Sequence, residues 1–501
     1  MALIQKRFRI SDFGFRIESG WPHKSAIRNP QSAILLSCLI LLAGCKVGPN
    51  FKPPQTSVPQ EWAGPLPPSP VGPEPNLAVW WTQFNDPMLT SLVNSAIGSN
   101  LDLQVAQARI RQARAARGVA IGGLGPSVNA TGSFRRGQSP GLAGVDSFGP
   151  TTNLYQAGFD AAWEIDVFGG VRRGVEAANA DLLAAIESRW NVFITLTSEV
   201  AVNYIDLRSL QQEIVIAQEN LKAQEHSADL TRQRRQGGLA SGLDVANAEA
   251  QVANTATQIP VLETSVQQTI YSLSVLLGRE PGALLADLST SAPIPTAPPA
   301  VPVVVPSELL RRRPDVRQAE AQIHGATARI GVAVADLFPT FSLSASIGRQ
   351  GNKFSSLSDR LNRFWSVGPS ASWNLFATGR NLSNIDLQKA LEEESLIIYR
   401  QVVLGSLQEV ENALIALAKE QEHRTALIDA VAANRKVVNL ATELYTQGQT
   451  DFLNVLNAQR SLYTAEDALV QSNRAVSTNL VALYKALGGG WQAEEPSRSE
   501  R

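Results

Sequence analysis

Residues 155–173 read YQAGFDAAWEIDVFGGVRR and contain the change of pattern that decides the fold. From Tyr155 to Ile165, apolar side chains occupy every second position, which predicts a β-strand with one apolar and one polar face. From Gly169 to Gln236 the chain contains no proline and is rich in Ala, Leu, Gln and Glu. An unbroken helix over that length would be about 100 Å long. The sequence therefore predicts a strand that leads directly into a very long helix.

The same order of signals returns about 210 positions later in the chain. Trp163 returns as Trp373, Gly238 returns as Gly448, and a second proline-free run covers residues 379–447. A near-constant offset over most of the chain indicates one structural unit that is used twice. Each copy is predicted to contain a helix, two strands, a very long helix, a glycine turn and a further helix.

This duplication sets the predicted domain boundaries. The first repeat covers residues 86–290 and the second covers residues 307–490, with a Pro-rich linker at 291–306. Residues 45–85 form an extended segment rich in proline and glycine, and residues 491–501 form a polar tail. Helices as long as those predicted in each repeat favour coiled-coil packing.

The N-terminal region carries a secretion signal. Ser32–Ala43 is an apolar run that is too short to span a bilayer as a mature helix. It leads into Leu-Ala-Gly-Cys at 42–45, which resembles a bacterial lipoprotein box, so we expect residues 1–44 to be a signal peptide and Cys45 to carry the lipid. A start codon downstream of Met1 would shorten this unusually long leader. The alternative is a plain signal peptide followed by an incidental cysteine.

Composition and motif searches argue against several classes of protein. The formal net charge of -1 gives no electrostatic case for a nucleic-acid partner. Cys38 and Cys45 are the two cysteines of the chain, so a disulfide framework is not expected. Three histidines, His226, His324 and His423, are isolated and lack the spacing of metal ligands. The sequence therefore predicts a protein that is not an enzyme and has no cofactor and no metal site.

The alternating strands allow two interpretations. They could form a soluble antiparallel sheet, or they could belong to a membrane β-barrel with an apolar lipid face and a polar lumen. The lipoprotein signal and the small polar residues on one face favour the barrel. Four strands cannot close a barrel, because the smallest single-chain barrels have about eight strands and an open edge is not tolerated in lipid. The barrel must therefore be shared between two or three chains.

Three phrases carry a specific resemblance to a known family. They are RRRPDVRQAEAQI at 311–323, WEIDVFGGVRR at 163–173 and LYKALGGGW at 483–491. With the lipoprotein signal and the duplication, they resemble the outer membrane efflux proteins, the TolC-like channels, and among them the NodT-type lipoproteins of resistance–nodulation–division systems. The resemblance implies a mainly α fold with a β-barrel contribution: a homotrimer whose twelve strands span the outer membrane and whose helices form a periplasmic tunnel.

The same resemblance implies a function and a set of partners. The protein would be the outer membrane exit duct of a tripartite pump for drugs or other small molecules. A periplasmic adaptor protein would open its periplasmic end, and an inner-membrane resistance–nodulation–division pump would supply the cargo. Gly237, Gly238 and Gly448 would form the tips at which the adaptor docks.

The family also implies a gate near the second glycine turn. Leu453 matches an apolar constriction, and Tyr445 and Asp244 match a pair whose link bridges adjacent helices. Asn457 stands where relatives typically carry the aspartate of an acidic ring, and Asp451 is an alternative source of that charge. We therefore hypothesise an entrance that attracts cations less strongly and is closed mainly by a ring of Leu453 side chains. The alternative is that Asn457 and the neighbouring Asn454 are ordinary water-facing helix residues.

Other functions remain open at this point. Outer membrane components for heavy-metal efflux and for type I protein secretion share the expected architecture. A protein outside transport, a lipid-anchored coiled-coil stalk, would explain the long helices. Such a stalk would not explain two matched pairs of strands with a small, polar face.

Overall fold

The computed structural model describes residues 46–65, 77–138, 151–296 and 305–491. The predicted signal peptide, the predicted lipidation site Cys45, part of the linker and the tail after Trp491 lie outside the described residues. A 3₁₀ segment, Leu77–Phe84, opens the folded body. Among the described residues, no helix combines the length and the apolar character needed to cross a membrane.

The two repeats share one basic order of elements: two helices, two strands, a very long helix, a glycine turn and a further helical segment. The elements of the first repeat are α1 (Pro87–Ser99), α2 (Leu101–Gly122), β1 (Ser127–Gln138), β2 (Thr151–Ile165), α3 (Gly170–Gln236), α4 (Gly242–Ala256), α5 (Gln258–Leu276) and α6 (Leu285–Leu288). The elements of the second are α7 (Pro306–Arg312), α8 (Pro314–Ala335), β3 (Thr340–Gly351), β4 (Arg363–Ser372), α9 (Thr378–Thr446) and α10 (Phe452–Ala486). Short 3₁₀ turns cover Phe354–Ser358, Arg360–Asn362 and Leu375–Ala377.

Both predicted long helices are present without interruption. Helix α3 has 67 residues and α9 has 69 residues. The Asp166 carboxylate, just before α3, accepts hydrogen bonds from the backbone N–H groups of Val171 and Arg172 at 3.2 and 2.9 Å. Because the first N–H groups of a helix have no partner within it, these bonds fix where α3 begins.

The two repeats differ in the helix that follows the glycine turn. In the first repeat this helix is divided into α4 and α5, and Pro260 lies in the first turn of α5. Proline lacks an N–H donor, and its ring clashes with the carbonyl group four residues earlier, which here belongs to Ala256, the last residue of α4. The position 210 residues later is Val470, and α10 is continuous through it over 35 residues.

The four described strands form one antiparallel sheet in the order β1-β2-β3-β4. Phe159 pairs with Ile347, and Ile347 pairs with Trp365, so the apolar residues of three strands share one face. The opposite face carries Asp160, which pairs with Ser346. The predicted alternation is therefore present, and β1 and β4 are the edge strands of the sheet.

Equivalent tryptophans attach the sheet to the helices in both repeats. The indole N–H of Trp163 donates to the carbonyl oxygen of Leu124 at 3.0 Å, and that of Trp373 donates to the carbonyl oxygen of Leu337 at 3.1 Å. Each acceptor lies in the turn between a short helix and the first strand of its repeat. The duplication therefore extends to individual hydrogen bonds.

The helices pack around α3 and α9. Helix α3 contacts α2, α4, α5, α8 and α10, and α9 contacts α8 and α10. The main apolar core joins α1, α3, α5 and α10, and its fully buried large side chains include Trp80, Leu89, Tyr204, Ile205, Leu273 and Tyr484. Full burial of one such side chain contributes about 1.5–3 kcal/mol. This core lies between the sheet and the glycine turns, so it holds the long helices in a fixed register.

Residues 46–65, which follow the predicted lipidation site, lie along the helices and are here called the strap. Arg173 of α3, which is 1% exposed, donates to the carbonyl oxygen of Val47 at 3.0 Å and to the side-chain oxygen of Asn50 at 2.8 Å. Farther along, the backbone N–H groups of Ala63 and Gly64 donate to the Glu411 carboxylate of α9 at 2.8 and 2.9 Å. The strap therefore connects the start of α3 to the middle of α9.

Candidate functional site

The long helices α3 and α9 end in the same kind of turn. Gly238 and Gly448 adopt φ angles of +76° and +75°, a left-handed conformation that favours glycine. At the first turn the N–H of Leu239 donates to the carbonyl oxygen of Arg234 at 2.8 Å, and the N–H of Gly238 donates to that of Arg235 at 2.9 Å. These two bonds define a Schellman motif.

The second turn repeats this pattern. The N–H of Gln449 donates to the carbonyl oxygen of Leu444 at 2.8 Å, and the N–H of Gly448 donates to that of Tyr445 at 3.0 Å. The predicted tip residues Gly237, Gly238 and Gly448 are thus placed where the chain reverses between helices.

The helices that leave the two turns begin differently. At the first tip Ser241 and Asp244 form a capping box, in which Asp244 accepts from the Ser241 N–H at 2.9 Å and Ser241 accepts from the Asp244 N–H at 3.1 Å. At the second tip Asp451 occupies the position equivalent to Ser241, and its side chain makes no capping hydrogen bond. Asn454 instead donates from its side chain to the Thr450 hydroxyl at 2.7 Å. The Asp451 carboxylate at the start of the second helix is therefore not engaged in a cap, whereas the Asp244 carboxylate is.

The expected link between Tyr445 and Asp244 is not made within one chain. The Asp244 carboxylate is engaged in its own capping box, which satisfies it locally. Tyr445 is 4% exposed, and its hydroxyl donates to the Thr231 hydroxyl of α3 at 3.4 Å. The guanidinium of Arg234 lies 4.8 Å from the centre of the Tyr445 ring. Tyr445 therefore joins α9 to α3, and Asp244 does not take part.

A small apolar cluster supports the two tips from inside. Tyr445 and Phe452 have ring centroids 5.5 Å apart. The cluster also contains Ala228, Ala248, Ala441, Val455, Leu456 and Ala458. The four alanines come from four different helices, which allows the helix backbones to approach closely.

The remaining predicted gate residues lie on the exposed side of α10. Leu453 is 55% exposed, and Asn454, Asn457 and Asp451 are also exposed. Leu453 and Asn457 are four residues apart and therefore share one helix face. An exposed leucine in the first turn of a helix, next to water-facing amides, has no packing partner that explains it within one chain.

A set of polar contacts just above the tips is not predicted from the sequence. Arg460 of α10 donates to the side-chain oxygen of Gln251 in α4 at 2.7 Å, and the Tyr463 hydroxyl donates to that of Gln258 at 2.6 Å. Gln459 donates to the buried hydroxyl of Ser227 in α3 at 2.8 Å. These contacts connect helices of different repeats. The periodicity of polar residues along α10 predicts that Arg460 and Tyr463 lie on one side of the helix. It does not indicate that they contact these glutamines.

Farther from the tips, carboxylates of α3 and α10 face one another. Burial raises the pKa of Glu213, and the nearby Asp467 carboxylate raises it further. Burial also raises the pKa of Asp467. Arg474 offsets part of this charge and donates to Asp206 of α3 at 2.5 Å. At the α3–α10 contact the carboxylates of Asp206, Glu213 and Asp467 therefore outnumber the guanidinium of Arg474.

The described residues give no indication of a metal centre. Within the ranges that the structure covers, no group of three or more His, Cys, Asp or Glu side chains could hold a metal ion. His324 contacts Glu176 at 3.3 Å and stacks on Phe51 of the strap, with ring centroids 4.5 Å apart. His423 contacts Glu420 on its own helix at 3.2 Å.

Both repeats of this chain match the sequence model of a known protein family. The model of the family described as "Outer membrane efflux protein" matches residues 92–279 and 305–489. The chain belongs to the outer membrane efflux protein family. The two matched segments correspond to the two structural repeats.

Curated relatives of this efflux protein are similar over nearly their full length. Nodulation protein T of Rhizobium leguminosarum bv. trifolii is 31% identical over 461 residues, which cover 90% of this chain and 96% of the relative. The pyoverdine export outer membrane protein OpmQ of Pseudomonas aeruginosa is 33% identical over 470 residues, which cover 92% and 97% of the two chains.

Solved structures show the same fold. The outer-membrane channel OprN matches with a TM-score of 0.84 and 36% identity, over 89% of this chain and 100% of that chain. The open state of the MtrE outer membrane channel of Neisseria gonorrhoeae matches with a TM-score of 0.76 and 27% identity, over 89% and 99% of the two chains. The expectations of a TolC-like fold, an outer membrane location and an efflux channel are confirmed.

Proposed function

We propose that this efflux protein is the homotrimeric exit duct of a tripartite pump, which carries small molecules from the periplasm to the exterior. The observation that carries the proposal is the sheet of four strands, whose edge strands β1 and β4 pair with no further described strand. An open edge in lipid would leave backbone N–H and C=O groups without hydrogen bonds, at a cost of several kcal/mol for each group. Other copies of the chain would supply those partners.

Closure by three copies fits the family best. Three sheets of four strands give a barrel of twelve strands, whereas two copies would give eight. Long helices follow β2 and β4 directly, so each copy would also contribute one section of a helical tunnel wall. The strap, which contacts α3 and α9, would follow that wall in the periplasm.

The polar face of the sheet suits the inner surface of such a duct. The hydroxyls of Ser346 and Ser366 lie 2.7 Å apart, and those of Ser342 and Ser370 lie 2.8 Å apart. Thr131 donates to the Asp160 carboxylate at 2.8 Å. Because these small side chains form hydrogen bonds with one another, they leave room for water in the duct and present few free groups to a passing solute.

The glycine turns are the proposed docking site of a periplasmic adaptor protein. Leu239 and Leu243 beside the first turn are 70% and 69% exposed, so together they offer apolar surface for a partner to cover. We infer that an adaptor covers these side chains and draws the tips apart. An inner-membrane resistance–nodulation–division pump would deliver the cargo to the complex.

The gate is proposed to lie on the exposed face of α10. Three copies would bring Leu453 side chains together into a narrow apolar ring, with Asn457 one turn farther along the same face. Asp451 at the helix start is the acidic side chain closest to this ring along the sequence. In this arrangement dewetting at leucine closes the entrance, and amides replace the usual carboxylates.

The cargo is proposed to be a small organic molecule. Relatives are named for export of pyoverdine and for efflux of toluene and antibiotics. Heavy-metal efflux and type I protein secretion remain the transport alternatives. We further propose that the chain catalyses no reaction and needs no cofactor, in keeping with its isolated histidines.

Cross-linking between the edge strands tests the trimer. Cysteines replace Thr131 on β1 and Ser366 on β4, which share the polar face of the sheet. Cys38 and Cys45 are the natural cysteines; the first lies in the predicted signal peptide, and a lipidated Cys45 has no free thiol. A short bismaleimide should then yield covalent dimers and trimers in outer membranes.

A matched pair within one hairpin serves as the control. Cysteines at Ser342 and Ser370, whose hydroxyls are neighbours, should cross-link inside one chain and leave its size unchanged. Products that stop at the dimer would favour an eight-stranded barrel. The absence of any product between chains, with a soluble helical trimer after removal of the lipid, would favour a structural stalk.

A further inference from the structure

The outer ends of the strands carry unbalanced positive charge. At the outer ends of the described parts of the two hairpins, Asp359 is the one acidic residue, and none of the basic residues there forms an ion pair with a described carboxylate. The basic residues are Arg135, Arg136, Arg349, Lys353, Arg360 and Arg363. Acidic side chains such as Asp160 and Glu164 lie toward the opposite, helix-bearing end of the sheet.

Two of these arginines are placed directly against each other. Arg349 of β3 pairs with Arg363 of β4 in the antiparallel register. Like charges at directly opposite positions destabilise a sheet. Arg349 turns its guanidinium toward the loop and donates to the carbonyl oxygens of Leu357 and Ser358 at 3.0 and 2.9 Å. Arg363 is exposed, and its side chain makes no hydrogen bond with a described residue.

The register places these arginines on the apolar face of the sheet. Side chains two residues apart in a strand share a face, so Arg349 follows Ile347 and Arg363 precedes Trp365 on that face. Ile347 and Trp365 are 54% and 70% exposed. On β1, Arg136 follows Phe134 in the same way, whereas Arg135 lies on the polar face.

Aromatic rings continue this apolar surface around the same hairpins. The Phe134 and Tyr155 rings have centroids 4.6 Å apart, and Tyr155 contacts Phe354 at 6.0 Å. Rings and guanidinium groups therefore alternate where the apolar face ends. A cationic border on an apolar surface complements a molecule that has both acyl chains and anionic groups.

We propose that Arg136, Arg349 and Arg363, here called the basic rim, bind the phosphate groups of the anionic glycolipid in the outer leaflet. This rests on the proposed function, in which the sheet spans the outer membrane with its hairpins outward. Guanidinium groups bind phosphate through paired, charge-assisted hydrogen bonds, and a phosphate between Arg349 and Arg363 would offset their repulsion. Acyl chains of the same lipid would cover Ile347 and Trp365.

The edge positions of β1 and β4 extend this role to assembly. Closure by neighbouring copies would bring the Arg136 end of one chain to the Arg363 end of the next. A lipid phosphate at each seam would then bridge two chains. The rim is therefore both a lipid-binding surface and a contribution to the stability of the trimer. An anionic solute inside the duct would instead meet Arg135, on the polar face.

Lipid binding to the purified full-length protein tests the proposal. The protein is extracted from outer membranes, and titration in nanodiscs compares bisphosphorylated lipid A with dephosphorylated lipid A and with inorganic phosphate. We expect the phosphorylated lipid to bind about tenfold more tightly than the dephosphorylated one, which corresponds to about 1.4 kcal/mol of binding free energy. The double variant Arg136→Gln/Arg363→Gln should lose that preference.

The control is Arg135→Gln, which removes one charge from the adjacent position but on the opposite face. It should keep the wild-type preference and the heat stability of the oligomer that bisphosphorylated lipid A confers. Equal binding of both lipids, an equal loss in the control, or full competition by inorganic phosphate at the lipid concentration would each overturn the proposal. Channel conductance on the same preparation separates the two claims: a conducting trimer without lipid preference refutes only the basic rim, and a non-conducting monomer refutes both.

Discussion

The guanidinium of Arg234, in the last turn of α3, lies 4.8 Å from the centre of the Tyr445 ring, in the last turn of α9. The same side chain donates to the carbonyl oxygen of Thr446 at 2.9 Å. One arginine of the first repeat therefore holds the end of the long helix of the second. Because both contacts lie beside the glycine turns, they resist any motion that separates the two tips.

Arg234→Ala should loosen the tips and raise leakage through the closed channel. The substitution removes a cation–π contact and a hydrogen bond to a carbonyl group, together worth about 1–2 kcal/mol. We expect a higher open probability in planar bilayers in the absence of other pump components. Uptake of a large antibiotic that normally cannot cross the outer membrane should rise in parallel.

Arg235→Ala is the matched control for this change. Arg235 is the next residue, is exposed and makes no side-chain hydrogen bond with a described residue. It carries the same charge near the same turn, so a purely electrostatic effect on conductance would appear in both variants. An equal increase in leakage would refute the specific role of the Arg234–Tyr445 contact.

Gly448→Ala should destabilise the second tip. At φ +75° a Cβ atom is strained, which costs about 1–2 kcal/mol. The nearest side-chain atom, a terminal nitrogen of Arg234, would lie 3.5 Å from the new Cβ, so lack of space is not the cause. We expect a lower midpoint of thermal unfolding, followed by circular dichroism of the helices.

Gly405→Ala provides the opposite expectation on the same helix. Gly405 lies inside α9, has no strained φ angle, and a Cβ there would meet nothing within 4 Å in one chain. Replacing a mid-helix glycine by alanine stabilises by about 0.5–1 kcal/mol. Should both variants lower the midpoint equally, backbone strain at Gly448 would not be the reason.

Most of the fold could be predicted from the sequence because its signals are long and repeated. Alternation over 155–165 and the proline-free runs before Gly238 and Gly448 predict the strands, the helices and the turns. The break at Pro260 could have been inferred from proline chemistry. These features depend on local periodicity, which a sequence displays directly.

The candidate site could be predicted less well, since it depends on which side chains meet. The sequence placed Leu453 and Asn457 on one helix, but the expected Tyr445–Asp244 link is absent within one chain. Asp244 had a local partner in Ser241, three residues earlier, and a local cap forms more readily than a contact between distant helices. The contact between Arg234 and Tyr445 joins residues 211 positions apart, and no local pattern indicates it.

Asn457→Asp should increase the cation selectivity of the entrance. In a trimer the substitution places three carboxylates at one aperture, where they repel one another and attract cations. We expect the reversal potential in a salt gradient to shift toward the cation limit, with little change in the size of the oligomer. If the wild type is already strongly cation selective and the variant is no different, amides at position 457 do not set the selectivity.

Leu453→Ala separates the two parts of the proposed gate. Removing the leucine side chain widens the apolar ring without changing charge, so conductance should rise while selectivity stays as in the wild type. Leu243→Ala, which removes another exposed leucine, from the start of α4, is the control and should leave conductance unchanged in the absence of an adaptor. A selectivity change in Leu453→Ala would contradict this division of roles.

Glu213→Gln should stabilise the protein at neutral pH and flatten its response to acid. The raised pKa of Glu213 means that the folded protein favours the neutral carboxyl, because burial and Asp467 oppose its charge. Below the ordinary glutamate pKa the side chain is neutral in both states and costs nothing. As the pH rises from there through the raised pKa, the folded state must carry the charge and loses stability.

The amide variant carries no such charge at any pH. Its unfolding midpoint should exceed that of the wild type by a few degrees at pH 7, and the difference should vanish once the pH falls below the ordinary glutamate pKa. Glu219→Gln, which changes an exposed carboxylate six residues farther along α3, is the control for the loss of one carboxylate from this helix. Because Arg474 pairs with Asp206 across the same helix contact, Arg474→Gln should enlarge the penalty at neutral pH. A constant difference between Glu213→Gln and wild type across the whole pH range would mean that shape, and not charge, decides the stability of the α3–α10 contact.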